Sequence, residues 1–253
     1  VSNALVVKRG LDIPVDDLKA TVYTYTVEQQ DASFSARNIR FEDGVIVFDF
    51  HAPNAIILDM RLCVPAWVNV ENSVAALAIA YLLGLTEQEL RDGLVSFTGV
   101  YRRFNLHVNK SLVSYIDDYA HHPEELKASI KSVKKLYPHR KLLVVFQPHL
   151  YSRTRDFADG FVDALNLADS ILLLPIYPAR ELPMIGVTSE WLRSLMGNPS
   201  KCNVVAKEDL VGQISSQVTR WISSREKVVV MTLGAGDIER QVNEIKLNLN
   251  EYE

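Results

Sequence analysis

The chain has 253 residues, of which 48% are hydrophobic and 23% charged, a composition typical of a globular protein with one large or two ordinary domains. Its 27 basic and 31 acidic residues give a net charge of −4 without a strongly basic half or tail, so we expect no nucleic-acid partner. No apolar run approaches the roughly 20 residues of a membrane span, and we expect no membrane partner. The two cysteines, Cys63 and Cys202, are far apart and favour a reducing cytoplasm over a disulfide scaffold.

Residues 1–65 are predicted to be rich in β-strands. Residues 22–27 are β-branched and aromatic, and residues 34–41 and 45–50 flank a turn signal at Glu42-Asp43-Gly44, which together predict a β-hairpin. Residues 55–64 predict one further strand.

The next segment changes to the spacing of helices. Residues 69–83 carry apolar side chains at helical intervals, and Gly84 fits the end of that helix. Thr86 followed by Glu89 is a capping box that predicts a second helix to about Val95.

From residue 111 onward, apolar strands alternate with amphipathic helices. The predicted strands are 112–116, 142–146, 171–174, 203–205 and 228–231, with helices after the first, second and fourth of them. This alternation predicts an α/β fold: a Rossmann-like, mostly parallel sheet with helices on both faces. We place the domain boundary within residues 99–109, which gives domains 1–100 and 101–253. Functional residues are expected at the carboxyl ends of the strands.

The most polar strand end is the run Asp117-Asp118-Tyr119-Ala120-His121-His122-Pro123-Glu124-Glu125. Pro123 suits the first position of a helix, and the two glutamates suit the positive end of its dipole. Capping alone could account for the run, but the crowding of acids and imidazoles favours a ligand site. Metal binding by the histidine pair is disfavoured, because adjacent histidines rarely point the same way.

A second candidate follows the next strand, in Gln147-Pro148-His149-Leu150-Tyr151-Ser152-Arg153-Thr154-Arg155-Asp156. His149 and Arg153 share a face if the segment is helical, and the arginine fork suits a carboxylate or phosphate. Arg155 is as readily explained by pairing with Asp156 or Asp159.

Two further features are weaker. Arg102-Arg103 near the domain boundary either reaches a ligand or is a surface charge pair. Gly234-Ala235-Gly236-Asp237-Ile238 lacks the third glycine of a dinucleotide fingerprint, so a tight turn with Asp237 as the helix N-cap is the better interpretation. The sequence contains no G-x-x-x-x-G-K-[ST] phosphate loop.

Taken together and in this order, the three runs at the strand ends resemble the Mur ligase family, in particular its alanine-adding branch. The upstream Asn69-Val70-Glu71-Asn72 and Arg102-Arg103-Phe104 match the end of that family's central domain and its hinge. The resemblance covers nearly the whole chain, and it is most specific over 69–156. Leu150 departs from the pattern, because many members have an arginine there, which leaves Arg153 as the main partner for a carboxylate.

The resemblance implies a three-domain enzyme that uses ATP and Mg²⁺ to join L-alanine to UDP-N-acetylmuramate through an acyl phosphate. This step belongs to peptidoglycan precursor synthesis, and so to cell-wall biogenesis, cell shape and cell division. Residues 1–100 would then be the C-terminal part of the central ATP-binding domain, and 101–253 the amino-acid-binding domain. Without the phosphate loop and most of the magnesium site, such a fragment is expected to be inactive alone.

Roles follow from the resemblance, residue by residue. Asn69 and Asn72 would lie near the nucleotide, Arg103 would contact the phosphates, and Asp118 would approach the ATP ribose. The alanine would be surrounded by Tyr119, His121, His149 and Arg153. Arg103 and His121 would be the catalytic residues, and no residue is assigned to a metal. Two alternatives stay open: a non-catalytic binding or regulatory module with this fold, and the related ligase that recycles murein tripeptide.

Overall fold

The computed structural model describes residues 4–14, 19–27, 31–42, 45–64 and 66–252. The chain divides into two compact units, Val1–Thr98 and Gly99–Glu253. Within the described residues, no helix combines the length and the apolarity needed to cross a bilayer.

The first unit is a five-stranded sheet with two helices. Its elements are β1 (Ala4–Lys8), β2 (Thr21–Val27), β3 (Phe34–Glu42), β4 (Val45–Ala52), β5 (Ala55–Leu62), α1 (Trp67–Leu82) and α2 (Glu87–Ser96). The strands follow chain order across the sheet, with β1, β2 and β3 parallel and β3, β4 and β5 antiparallel. The predicted hairpin is therefore confirmed as β3–β4, although turn residues 43–44 lie outside the described residues. Strand β1 was missed.

Local signals set the helix ends of this unit as predicted. The Thr86 hydroxyl accepts from the Glu89 backbone N–H, and the Glu89 carboxylate accepts from the Thr86 N–H at 2.8 Å, which completes the capping box. Gly84 follows α1 with φ of 87°, a left-handed conformation that favours glycine. The apolar faces of α1 and α2 pack on the sheet, where Phe34, Phe48 and Phe50 form the centre of the core.

The second unit is a six-stranded sheet in the order β10-β9-β8-β11-β7-β6. Its strands are β6 (Asn105–Asn109), β7 (Val113–Asp118), β8 (Arg140–Phe146), β9 (Ser170–Leu173), β10 (Cys202–Val204) and β11 (Lys227–Leu233). All neighbouring strands are parallel except β6, which runs antiparallel to β7. The mostly parallel sheet is thus confirmed, whereas β6 was not predicted and lies within the predicted boundary segment 99–109.

Helices cover both faces of this sheet, as predicted. They are α3 (Pro123–Leu136), α4 (Tyr151–Asp156), α5 (Ala158–Leu165), α6 (Ser189–Ser194), α7 (Leu210–Ser223) and α8 (Val242–Leu249). One face packs against α7 and α8 through Val145 and its neighbours, and the opposite face carries Phe146 against Phe161 of α5, with ring centroids 5.3 Å apart. Each fully buried aliphatic side chain of α7, such as Ile214, contributes about 1.5–3 kcal/mol of transfer free energy.

Candidate functional site

Four parallel strands of the second unit end at the same level, and this alignment builds the site. Asp118 at the end of β7 pairs with Leu233 of β11, Leu233 pairs with Phe146 of β8, and Phe146 pairs with Leu173 of β9. The polar runs that follow these strands therefore leave the sheet at one edge, where open α/β sheets bind their ligands.

Four aromatic rings form a continuous row along this edge, which we call the ring row: Tyr119, His121, His149 and Tyr177. Tyr119 meets His121 edge to face at 5.3 Å between centroids, and His121 lies 6.2 Å from His149. The Tyr177 ring stacks on His149 at 5.5 Å with 28° between the planes. Three sequence-predicted residues are thus brought together, and Tyr177 joins them from a loop that the sequence analysis did not select.

Arg153 lies beside this row. Its Nη1 is 3.4 Å from Nδ1 of His149, so the predicted neighbourhood of the two residues is correct. The predicted reason is wrong, because α4 begins at Tyr151 and His149 precedes the helix. Leu150 has φ of 72°, a strained value for a residue other than glycine, and this turn directs His149 back toward the helix.

The hydrogen bonds of the two imidazoles select opposite tautomers. Nδ1 of His121 is 3.0 Å from the carbonyl oxygen of Tyr119, which can only accept, so Nδ1 carries the proton and Nε2 of the neutral ring has a free lone pair. Nδ1 of His149 faces a guanidinium, which can only donate, so the proton of the neutral ring is on Nε2. Side by side, the rings offer one acceptor and one donor.

Charges around the row favour a neutral His149. Burial lowers the pKa of His149, and the nearby charges of Arg153 and His121 lower it further, while Glu181 acts in the opposite sense.

The first turn of α3 is fixed by Glu125, whose carboxylate accepts from the backbone N–H groups of His121 (3.0 Å) and His122 (3.2 Å). Pro123 is the first residue of that helix, as predicted.

Asp118 is turned into the protein and is only 6% exposed. Its carboxylate accepts from the hydroxyl of Ser129 and from the backbone N–H of Ala120. Burial raises the pKa of Asp118, although these hydrogen bonds and Arg103 lower it in part. Its assignment to the ATP ribose stays a prediction.

The adjacent residues Arg102 and Arg103 have different environments. Arg103 is exposed and lies 5.5 Å from the centre of the Tyr119 ring. Arg102 is 3% exposed, pairs with the buried Asp117 at 3.0 Å, and donates to the carbonyl oxygen of Gly234 at 2.6 Å. For Arg102 the surface-pair interpretation is therefore wrong, and Arg103 remains as the cation available to a ligand.

The glycine-rich turn after β11 packs on Gln147. A side chain at Gly234 would place its Cβ 2.7 Å from the Gln147 carbonyl oxygen, so only glycine allows this approach. Gly236 is the N-cap, and Asp237 begins a short 3₁₀ segment, Asp237–Gln241, which corrects the predicted cap. The Asp237 carboxylate accepts instead from Lys207 (2.6 Å) and from the Gln147 amide (2.7 Å).

The predicted nucleotide residues of the first unit lie on α1. Asn69 donates its side-chain amide to the Val64 carbonyl oxygen at 3.2 Å, and Asn72 is exposed. In the part of the chain that the structure describes, no three His, Cys, Asp or Glu side chains are grouped so that they could hold a metal ion. Arg155 pairs with Asp156, one of its two expected partners.

A family model described as "Mur ligase, glutamate ligase domain" matches residues 102–236, which is more than half of the chain. The chain belongs to the Mur ligase family. The matched range includes the whole ring row, Arg153 and the glycine-rich turn.

Curated relatives within this family extend over both units. A UDP-N-acetylmuramate–L-alanine ligase of Flavobacterium johnsoniae is 42% identical over 95% of this chain and 50% of its own length. One from Parabacteroides distasonis is 45% identical over 96% of this chain and 50% of its own length. The chain thus spans about half the length of the curated relatives it matches.

Solved Mur ligases share the fold. The UDP-N-acetylmuramate-alanine ligase of Thermotoga maritima aligns with a TM-score of 0.67 and 24% identity, over 91% of this chain and 48% of that one. The MurF ligase of the same organism, solved in complex with ADP, aligns with a TM-score of 0.68 and 19% identity, over the whole of this chain and 55% of that one.

The sequence analysis did not select Tyr177, which belongs to the ring row, or Glu181. Tyr177 and Glu181 follow β9, a short apolar strand whose end carries no cluster of acids or imidazoles. The available signal was positional, since every strand end at this edge of a Mur ligase sheet is a candidate.

Proposed function

We propose that this chain is the amino-acid-binding part of a cytoplasmic, ATP-dependent ligase that joins L-alanine to UDP-N-acetylmuramate in peptidoglycan precursor synthesis. The observation that carries the proposal is the convergence of His121, His149 and Arg153 at aligned strand ends. The names of the 40–45% identical relatives support the choice of substrates. The cytoplasmic setting is supported by Cys63 and Cys202, which are both free thiols.

Arg153 and His149 are suited to bind the alanine carboxylate. A guanidinium offers paired donors to a carboxylate, and the adjacent Nε2–H of His149 adds a third. Because both groups are half-buried, their attraction for an anion is stronger than in open water. Holding the carboxylate fixes the direction of the amine, which is the group that must attack.

His121 is suited to accept a proton from that amine. Its Nδ1–H is held by the Tyr119 carbonyl oxygen, so the lone pair of Nε2 is the acceptor that the ring presents to a ligand. An ammonium group has no lone pair and must lose a proton before or during attack on an acyl carbon. We therefore assign His121 as the base and Tyr119 as the residue that orients it.

The chain's residues fit ATP only in part. When bound, ATP supplies the phosphoryl group that activates the muramate carboxylate. Arg103 is an exposed cation that could stabilise phosphate charge, whereas Asp118 already accepts two hydrogen bonds and is buried. Residues 1–100, with Asn69 and Asn72, are proposed to be the end of the ATP-binding domain, and the remaining ATP and Mg²⁺ contacts are assigned to sequence that this chain does not contain. The chain alone is then expected to be inactive.

The coding sequence upstream of Val1 gives the first test. It should encode a G-x-x-x-x-G-K-[ST] loop, and a reading frame without one would favour the non-catalytic binding module instead.

The second test is kinetic and uses the protein expressed from the complete reading frame. ADP release should require L-alanine and UDP-N-acetylmuramate together, and Arg153→Ala should raise the KM for alanine by roughly 100-fold or more while Arg155→Ala changes it little. Turnover of L-alanyl-γ-D-glutamyl-diaminopimelate in place of alanine would assign the chain to the tripeptide-recycling ligase.

A further inference from the structure

A loop after β9 contributes Tyr177 to the ring row, and we call residues 177–187 the 177–187 loop. Its first residue is tied to the start of α4 by two backbone hydrogen bonds, from Leu150 N–H to the Tyr177 oxygen (2.9 Å) and from Tyr177 N–H to the Pro148 oxygen (2.8 Å). Tyr177 also packs beside Gly236, where an added Cβ would lie 2.8 Å from the Tyr177 Cβ. The Tyr177 side chain therefore lies against both His149 and the glycine-rich turn.

Burial does not hold the middle of this loop. Ile176 before it and Val187 at its end are buried, but Leu182 is 86% exposed and Ile185 is fully exposed. A segment with so little apolar burial depends on polar contacts for its position.

Glu181 makes a charged side-chain contact from the exposed middle of the loop to α4. Its carboxylate accepts from the backbone N–H of Ser152 at 3.0 Å and from the Ser152 hydroxyl, so it binds the first turn of α4. Arg153, the next residue of that turn, lies close enough for its charge to lower the pKa of Glu181, after the larger effects of the two Ser152 hydrogen bonds. Glu181 in turn raises the pKa of His149.

We propose that Glu181 is a positioning residue of the amino-acid site. By anchoring the 177–187 loop on the start of α4, it helps to keep the Tyr177 ring on His149 and the Arg153 guanidinium beside His149. The inference rests on the proposed function only for its ligand, an amino acid with a free carboxylate.

The test uses NMR of the 253-residue chain with Glu181→Ala and Glu181→Gln. Glu190→Ala, at an exposed glutamate of α6, is the matched control. Glu181→Ala should weaken the nuclear Overhauser contact between the rings of Tyr177 and His149, and it should weaken L-alanine binding by roughly ten-fold, the size usual for residues that orient a binding group. Glu181→Gln keeps an acceptor for Ser152 but loses the charge, so it should preserve the ring contact and lower the pH midpoint of His149.

Outcomes separate this inference from the proposed function. A Tyr177–His149 contact that is as strong in Glu181→Ala as in the unmodified chain overturns the inference, as does an alanine affinity equal to that of the control. If L-alanine causes no change in the NMR spectrum of the unmodified chain, the proposed substrate is contradicted. In that case the Tyr177–His149 ring contact and the pH midpoint of the His149 titration still decide the role of Glu181. Far-ultraviolet circular dichroism of each variant verifies that the sheet is intact.

Discussion

Replacement of Arg102 by methionine should destabilise the second unit by about 3–5 kcal/mol, the usual cost of removing one partner of a buried ion pair. The guanidinium is 3% exposed and the Asp117 carboxylate is fully buried. Methionine fills a similar volume but leaves Asp117 with the Thr232 hydroxyl as its remaining described side-chain partner, at 2.7 Å. The carbonyl oxygen of Gly234 also loses its donor.

Urea unfolding followed by tryptophan fluorescence measures this loss. The chain has three tryptophans, of which Trp191 and Trp221 lie in the second unit and Trp67 in the first, so a Trp67→Phe background makes the emission specific to the second unit. The matched control is Arg103→Met, whose exposed side chain should change the unfolding free energy by about 0.5 kcal/mol or less.

Adding Asp117→Asn to Arg102→Met tests the cause directly. If the penalty comes from an uncompensated buried carboxylate, the double variant should be more stable than Arg102→Met alone, although one hydrogen-bonding group has been weakened further. A loss below about 1 kcal/mol in Arg102→Met, or an equal loss in Arg103→Met, would refute the buried-pair argument.

Three further predictions concern packing, capping and charge. Gly236→Ala should destabilise the second unit by about 1–3 kcal/mol in urea, because the new Cβ would overlap the Gln147 side chain. Thr86→Ala should cost the first unit about 1 kcal/mol in thermal unfolding, through loss of the capping box. Arg153→Ala should raise the pKa of His149, seen as a higher midpoint of its ring protons in an NMR pH titration, because the nearby positive charge is gone.

Each of these has a control of the same chemistry. Gly212→Ala, inside α7 with open space around its Cβ, should stabilise by roughly 0.5–1 kcal/mol, and equal losses at both glycines would contradict the overlap argument. Ser96→Ala, at the end of α2, should cost less than Thr86→Ala. If Arg155→Ala shifts the pH midpoint of His149 by the same amount, the inference that the neighbouring Arg153 charge lowers the pKa of His149 is contradicted.

Much of the fold could be predicted because its signals are local. The apolar runs of β7, β8 and β11 are long enough to mark buried strands, and the Thr86–Glu89 box and Pro123 define helix starts within four residues of chain. β6 was missed because it lies within the predicted boundary segment 99–109 and is held mainly by its pairing with β7.

The membership of the candidate site was predicted more fully than its geometry. Parallel strands end at one edge, which predicts that the polar runs after β7 and β8 lie near each other. The resemblance to the Mur ligase family then singled out Tyr119, His121, His149 and Arg153 within those runs. The turn at Leu150, which sets the angle of His149, could not be predicted, because a positive φ at leucine is disfavoured locally and persists only where surrounding structure holds it.

The sequence by itself determined the α/β class, the helix ends and the side chains that gather at the carboxyl edge, since these depend on patterns within a few residues. Only the tertiary structure decided that Arg102 is buried while Arg103 is exposed, and that Tyr177 completes the ring row. The physical reason is that these contacts join residues far apart in the sequence. Arg102 donates a hydrogen bond to Gly234, 132 residues away, and no local pattern specifies which distant group will meet a given side chain.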